Sequence, residues 1–260
     1  MIKRVILAAM IPMILSATDP MGDDFSDLKS GLGDTQMKPG DFKQHIEFGY
    51  LGASGNSDTQ TIHGLYGNDY QWSERTDMHF RADAYYASSQ GDTTDERYRA
   101  YGIVNHTLSD RWYDYLEAAY LRDPFEGYDA QYNGGLGMGY KIYDTPKKVL
   151  KIRGGYQYRW ADLTDGSNDD YHYLKMGLNG DYYFNEKNSV ESEINLLENL
   201  KETSDYETVF RIALKSHVVD QLSLKVSFEL KYDNTPPLND DGTEKEKTDT
   251  TTTVGIVYDF

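Results

Sequence analysis

KVLKIRGGYQYRWA, residues 148–161, alternates two kinds of side chain: Leu150, Ile152, Tyr156, Tyr158 and Trp160 at even positions, Lys151, Arg153, Gln157 and Arg159 at odd ones. A period of two belongs to a β-strand, whose successive side chains leave opposite faces of the backbone. One face here is apolar and the other charged, so each meets a different medium. LSLKVSFELKY, residues 222–232, does the same, with Leu222, Leu224, Val226, Phe228, Leu230 and Tyr232 set against Lys225, Glu229 and Lys231. Ile46, Phe48 and Tyr50 alternate likewise with His45, Glu47 and Gly49.

Carried along the chain, this period predicts twelve strands, near 43–52, 59–72, 76–88, 96–108, 112–122, 129–143, 148–161, 170–184, 189–201, 205–217, 221–234 and 249–260. Between them WSERT, LSDRW, YDTPKK, FNEKNS and VVDQ are short. ASGNSD, SSQGDTTDE, RDPFEGYD, ADLTDGSNDD, KETSD and DNTPPLNDDGTEKEKTD are on average longer and strongly polar, and the two classes alternate. Even strand number, short turns at one end and longer loops at the other are the arrangement of a bacterial outer-membrane barrel. The expectation is an all-β chain, a twelve-stranded antiparallel transmembrane β-barrel over residues 43–260, with both termini periplasmic. In hydrocarbon a sheet survives only when closed, because every backbone donor and acceptor must be paired. The fourth and fifth strands are mixed: Tyr101 and Ile103 compete with Tyr98, Ala100 and Val104 for the lipid face, and Asp114 shares a parity with Trp112 and Leu116. A bulge would resolve such a pattern.

A soluble β-sandwich or lipocalin-like barrel has the same alternation, since a face carrying Arg81, Asp83, Arg153 and Arg159 also suits solvent. The two ends of the chain separate these readings. MIKRVILAAMIPMILSA places Lys3 and Arg4 before an apolar run from Val5 to Leu15 and small residues at Ser16 and Ala17, the layout of a secretory signal peptide over residues 1–17. The run is shorter than the roughly 20 residues of a spanning helix. Residues 18–42 are polar, without a sustained period, and read as a periplasmic lead-in. At the other end TDTTTTVGIVYDF puts Val254, Ile256, Tyr258 and the final Phe260 on one parity, which resembles the C-terminal signal read by the outer-membrane barrel assembly machinery.

Composition agrees with a membrane barrel and excludes other classes. The 43 acidic against 26 basic residues give a formal charge of −17, unsuited to a nucleic-acid backbone. There is no cysteine, which removes thiolate nucleophiles, disulfide scaffolds and zinc-thiolate sites together. The 23 tyrosines find a place in the aromatic girdles at the two membrane interfaces, with Tyr70 and Trp72, Tyr182 and Phe184, and Tyr258 and Phe260 at the periplasmic rim and Tyr158 and Trp160 toward the other.

GYLGASGNSDTQTI, residues 49–62, and the ending KTDTTTTVGIVYDF resemble a large bacterial family of unknown function typified by proteins described as salt-induced outer-membrane proteins; the resemblance runs from Phe42 to Phe260. It implies an outer-membrane location and carries no catalytic residue, substrate or cofactor. Gly52, Gly55 and Asn56 read as a tight extracellular hairpin.

The candidate functional surface is the inner face: His45, Glu47, His79, Arg81, Asp83, Lys151, Arg153, Gln157, Arg159, Glu191 and Glu193. Opposite charges there either pair into ladders that close the bore or line a narrow pore that filters small solutes or ions by charge and size. Twelve tilted strands give a backbone radius of roughly 12 Å, so long side chains decide between the two. Two acidic clusters, Asp162, Asp165, Asp169 and Asp170, and Asp240, Asp241 and Glu244, offer oxygen ligands but match no cation-loop spacing. They read as solvated loops able to join divalent cations between lipopolysaccharide phosphates. His172, on the apolar face with Leu174 and Met176, stands where an outer-membrane lipase would keep its histidine, but no serine partner can be placed beside it, and His106 is equally alone. The expectation is a non-enzymatic barrel without cofactor or resident metal, whose partners are membrane lipid and lipopolysaccharide, the assembly machinery and small solutes or ions. A closed barrel supporting the envelope or salt adaptation is the alternative.

Overall fold

The computed structural model describes residues 37–53, 59–236, 243 and 246–260. The proposed signal peptide, most of the lead-in, Gly55, Asn56, Asp240, Asp241 and Glu244 lie outside these residues. The described chain is twelve antiparallel strands: β1 Phe42–Ala53, β2 Thr59–Gln71, β3 Thr76–Ser89, β4 Asp92–Thr107, β5 Trp112–Asp123, β6 Tyr128–Thr145, β7 Lys148–Leu163, β8 Asn168–Tyr183, β9 Asn188–Asn199, β10 Tyr206–Val219, β11 Leu222–Asp233 and β12 Thr248–Asp259. Each pairs with the next, and β1 pairs with β12 to close the barrel. The end from which β1 leaves and to which β12 returns is the proximal end; the other is distal.

Alternation decides which side chain enters the lumen. Ile46, Phe48, Leu116, Leu136, Ile152, Leu214 and Ile256 stand exposed on the outside, while the charged parity is buried within. This is the inverse of a water-soluble fold, and it fits a barrel whose outer surface is covered by lipid. Aromatic contacts ring both ends: Trp112 with Tyr140 and Tyr182 with Phe184 proximally, Tyr120 with Tyr132 and Tyr132 with Trp160 distally. Tyr258 and Phe260 also pair at the proximal end, whereas Tyr70 packs on Phe42 instead of Trp72.

The mixed pattern of β4 and β5 resolves without a bulge inside it: the two strands pair in unbroken register from Tyr98 to Thr107, and their register shifts, opposite Ala87/Ser88 and at Leu121/Asp123, lie distal to Tyr101 and Ile103. Tyr101 and Ile103 turn inward and pack with Tyr113 and Tyr115 into an apolar cluster inside the otherwise polar lumen. Room for it comes from β6, whose inward positions 135, 137 and 139 are glycines lying directly opposite Glu117, Tyr115 and Tyr113 in the ladder. The β5 side chains lean across the strand over these glycines. A Cβ on Gly139 would stand 2.0 Å from the Tyr113 ring, and one on Gly135 would stand 2.6 Å from Glu117 Oε1.

Connection lengths depart from expectation. SSQGDTTDE is mostly strand: β3 runs to Ser89 and β4 starts at Asp92, joined by Gln90 and Gly91 at φ 55° and 91°. RDPFEGYD and ADLTDGSNDD likewise shrink to the four residues 124–127 and 164–167. The polar residues at the distal strand ends are paired in the ladders, as Asp92 with Ser89 and Asn168 with Asp162, so polarity there does not mark a loop. The longest connection is still distal, residues 234–247.

Candidate functional site

All eleven luminal candidates fall on the inner face, and the structure joins most of them to partners on other strands. In the proximal half His79 lies between two carboxylates, Nδ1 2.5 Å from Asp69 and Nε2 2.7 Å from Asp77, while Asn105 donates to Asp77 at 2.8 Å. A carboxylate thus faces each ring nitrogen of His79. His45 stands 3.3 Å from Arg81, and Lys151 lies 6.0 Å from the centroid of the Tyr113 ring.

At mid-height the pairs run across the bore. Glu117 on β5 accepts from Lys175 of β8 at 2.5 Å and from the Tyr101 hydroxyl at 3.0 Å. Arg153 of β7 sits between Glu117 at 3.9 Å and Glu193 of β9 at 3.8 Å. Glu193 is met by Arg211 of β10 at 3.2 Å, and Arg211 also donates to Glu229 of β11. Lys225 of β11 reaches Glu47 across β12 at 2.6 Å and stands 3.9 Å from Glu191. Toward the distal end Arg159 forms a two-toothed pair with Glu207 at 2.7 and 3.1 Å, braced by the Tyr173 hydroxyl at 3.0 Å. Gln157 donates to Asn133, and Asp83 accepts from Arg99.

The result is a belt of paired charges. Arg153 and Arg159 are 2% exposed, Lys175 1% and Glu193 2%, so water does not reach the side chains that occupy the middle of the lumen. Removing ions from water is costly, and only close opposite charges and saturated hydrogen bonding offset that cost. Space remains beside the belt. A cavity of about 70 Å³ lies between β1–β4 and β10–β12, and a vestibule of about 430 Å³ opens at the proximal mouth around Lys43, Lys215 and Asp259.

Glu117, Lys175, Glu207 and Arg211 were not among the candidates read from the sequence, although each shares the inward parity of its strand. The only signal for them was that parity together with charge, because their partners stand up to 58 residues away. The other sequence candidates separate from one another. Asp165 caps its own turn, accepting from the Ser167 amide at 2.8 Å and hydroxyl at 2.6 Å, which holds its carboxyl below the usual range. Asp169 accepts from Tyr171, and Asp170 stands 3.2 Å from Lys201. Among the described residues no three acidic or histidine side chains converge as metal ligands would. His172 is on the outer face 2.5 Å from the Tyr156 hydroxyl and 3.6 Å from Asp170, and His106 bonds Thr76 at 3.1 Å. Ile256 and Tyr258 face outward and are exposed, with Val254 on the same parity and Phe260 just past the strand end.

Comparison with known proteins places this geometry among outer-membrane barrels. The chain superimposes on the COG4313 outer membrane channel from Pseudomonas putida F1 with a TM-score of 0.52 at 12% identity, over 90% of this chain and 100% of that one. For the NanC porin the TM-score is 0.51 at 11% identity, over 83% and 98%. At such identities the likeness is one of fold. In sequence it is 23% identical over 227 residues to the uncharacterized protein YdiY of Escherichia coli K12, covering 84% of this chain and 82% of the relative. Residues 46–260 match the model of DUF481, and the chain belongs to that family of proteins of unknown function.

Proposed function

We propose that this protein is an outer-membrane channel for ions and small solutes that the charged belt holds shut in the conformation described. The observation that carries the reading is the burial across the lumen of Lys175 paired with Glu117 and of Arg153 between Glu117 and Glu193. A solute crossing the barrel must displace them, so passage is controlled by charge and size without a covalent step. On this reading residues 1–17 are removed, both termini are periplasmic, and the distal end, with the longest connection, is extracellular. The Val254, Ile256, Tyr258 and Phe260 face is the contact for the assembly machinery.

Single-channel recording of refolded mature protein in planar bilayers tests it, with folding checked by heat-dependent gel mobility. Wild type is expected to give rare, small steps. Arg153→Ala and Lys175→Ala are expected to give frequent, larger ones, and Arg159→Gln to change ion selectivity. Folded belt variants that conduct no better than wild type would overturn the gate and leave a permanently sealed barrel that supports the envelope. Steady, large wild-type current would overturn the belt as a barrier.

A further inference from the structure

The seam that closes the barrel is unlike its other eleven. β1 pairs with β2 along its full length, Phe42–Ala53, but with β12 only over His45–Phe48 against Ile256–Asp259. Reciprocal backbone bonds of 2.9 Å between Gln44 and Phe260 extend it by one position proximally. Distal to Phe48, residues 49–53 and 248–255 form no ladder with each other, although both stretches remain strand paired on their other sides. The fork begins at two glycines. Gly49 and Gly255 stand opposite in the continuing register, and a Cβ on Gly49 would come within 3.1 Å of the Val254 carbonyl oxygen, one on Gly255 within 3.2 Å of that of Phe48.

The fork lies within the apolar band. Thr250 and Thr252 on β12 are outward-facing and register with Leu230 and Phe228 of β11, below Tyr232, which packs against Tyr206. An unladdered strand edge at this depth is tolerated where it lines a polar cavity, and such a cavity stands behind it. The space of about 70 Å³ is lined by Glu47 of β1, Thr251 and Thr253 of β12, and Arg97, Arg99, Arg211 and Lys225, with Glu229 the second carboxylate. Asp83 and Glu193 meet Arg99 and Arg211 from outside this lining. The walls that an entering group would touch therefore carry four cations and two carboxylates.

We propose that the distal half of the β1–β12 seam is a lateral portal through which a long-chain fatty acid inserts its carboxylate into this cavity while its chain lies in the bilayer. A molecule spanning the fork must be polar at one end and apolar at the other. A volume of about 70 Å³ has room for a few waters, which suits a carboxylate and is too small for a glycerophosphodiester head. Glu47, Arg211 and Lys225 of the belt also wall this cavity, but the test reads binding and not axial conductance, so its failure is distinguishable from failure of the channel.

The test uses mature protein in phosphatidylcholine nanodiscs and a dansylated undecanoic acid as fluorescent probe. Saturable binding displaced by palmitate is expected, with a loss of tenfold or more in Arg97→Gln. Tyr50 and Val254 are the next outward register pair beyond the fork, and the chain has no cysteine of its own. In Tyr50→Cys/Val254→Cys, joining the two strands with a short bis-maleimide should abolish binding, while either single variant treated alike should retain it. Gel mobility reports folding of every variant. Absence of saturable binding to wild type, full binding to the joined barrel, or equal displacement by a long-chain trimethylammonium would each overturn the proposal.

Discussion

Gly137 offers the sharpest test of sidedness. A methyl group added there would lie 2.3 Å from the Gly154 carbonyl oxygen, 2.7 Å from Gly155 Cα and 2.6 Å from the Tyr115 hydroxyl. Ordinary contact needs roughly 3.5 Å, so β7 would have to retreat by about 1 Å. Two of the three obstacles are backbone atoms of a strand bonded on both sides, which no rotamer change relieves. Overpacking of this kind costs about 1–3 kcal/mol, and Gly137→Ala belongs at the upper end. Gly139→Ala meets the Tyr113 ring, which can swing, and should fall between. Gly134→Ala is the control: it faces outward with nothing within 4 Å, and the lost chain entropy of glycine makes alanine favourable there by about 0.5 kcal/mol. The assay is urea unfolding in lipid vesicles followed by tryptophan fluorescence, with gel mobility as the folding check. Three variants ranked Gly137, Gly139, Gly134 in decreasing damage are expected. If Gly137→Ala and Gly134→Ala agree within about 0.5 kcal/mol, β6 does not present its faces as described and the inward glycine slot is wrong.

Three further outcomes follow from the same geometry. Lys175→Met strands Glu117 in the lumen with the Tyr101 hydroxyl and a more distant Arg153, and should cost about 3 kcal/mol, most of it recovered in Lys175→Met/Glu117→Gln; additive single and double variants in the urea titration would show that the pair is not coupled. Deleting Phe260 removes the reciprocal bonds to Gln44 and the contact with Tyr258 at the shortest seam, so the midpoint of heat-dependent gel mobility should drop, and an unchanged midpoint would contradict the account of closure. Gly91→Ala meets no atom within 4 Å, but its φ of 91° should cost about 1 kcal/mol from backbone strain alone. A neutral result in the urea titration would show that the turn relaxes.

Strand number, order and sidedness were legible because they depend on local period, and lipid enforces that period on nearly every strand. Leu150 to Trp160 and Leu222 to Tyr232 show it without reference to any partner. The mixed β4 stretch was not legible because its resolution is on another strand: Tyr101 and Ile103 can turn inward only where glycines 135, 137 and 139 leave room. The alternating glycines of GGLGMG, residues 134–139, were the available signal, and it needs the β5–β6 register to be interpreted. Loop lengths were legible only on average: the distal connections are the longer class, but individual ones shrink because polar residues such as Asp92 and Asp95 are strand-paired, Asp95 facing the buried lumen. Luminal pairing was the least legible feature. Lys225 and Glu47 are 178 residues apart and meet only because the sheet closes.

The charge ledger of the interior distinguishes a filled lumen from a selective one. Among the described residues the buried cations are Arg81, Arg97, Arg153, Arg159, Lys175, Arg211, Lys215, Lys225 and Lys231, nine in all, against the ten acids Glu47, Asp69, Asp83, Asp95, Glu117, Asp123, Asp181, Glu191, Glu193 and Glu207. These fully buried positions are thus within one charge of balance in a chain whose formal charge is −17, and most of the acidic excess lies outside them. A pore that selects by field requires an unbalanced lining, because a balanced one presents no net potential to a passing ion. Balance serves a different end: it allows charges to be packed out of water at tolerable cost. Neutralising one member of the belt therefore does two things together, removing a barrier and creating a field. This is why the variants that open the axial path should also be the ones whose current becomes ion-selective.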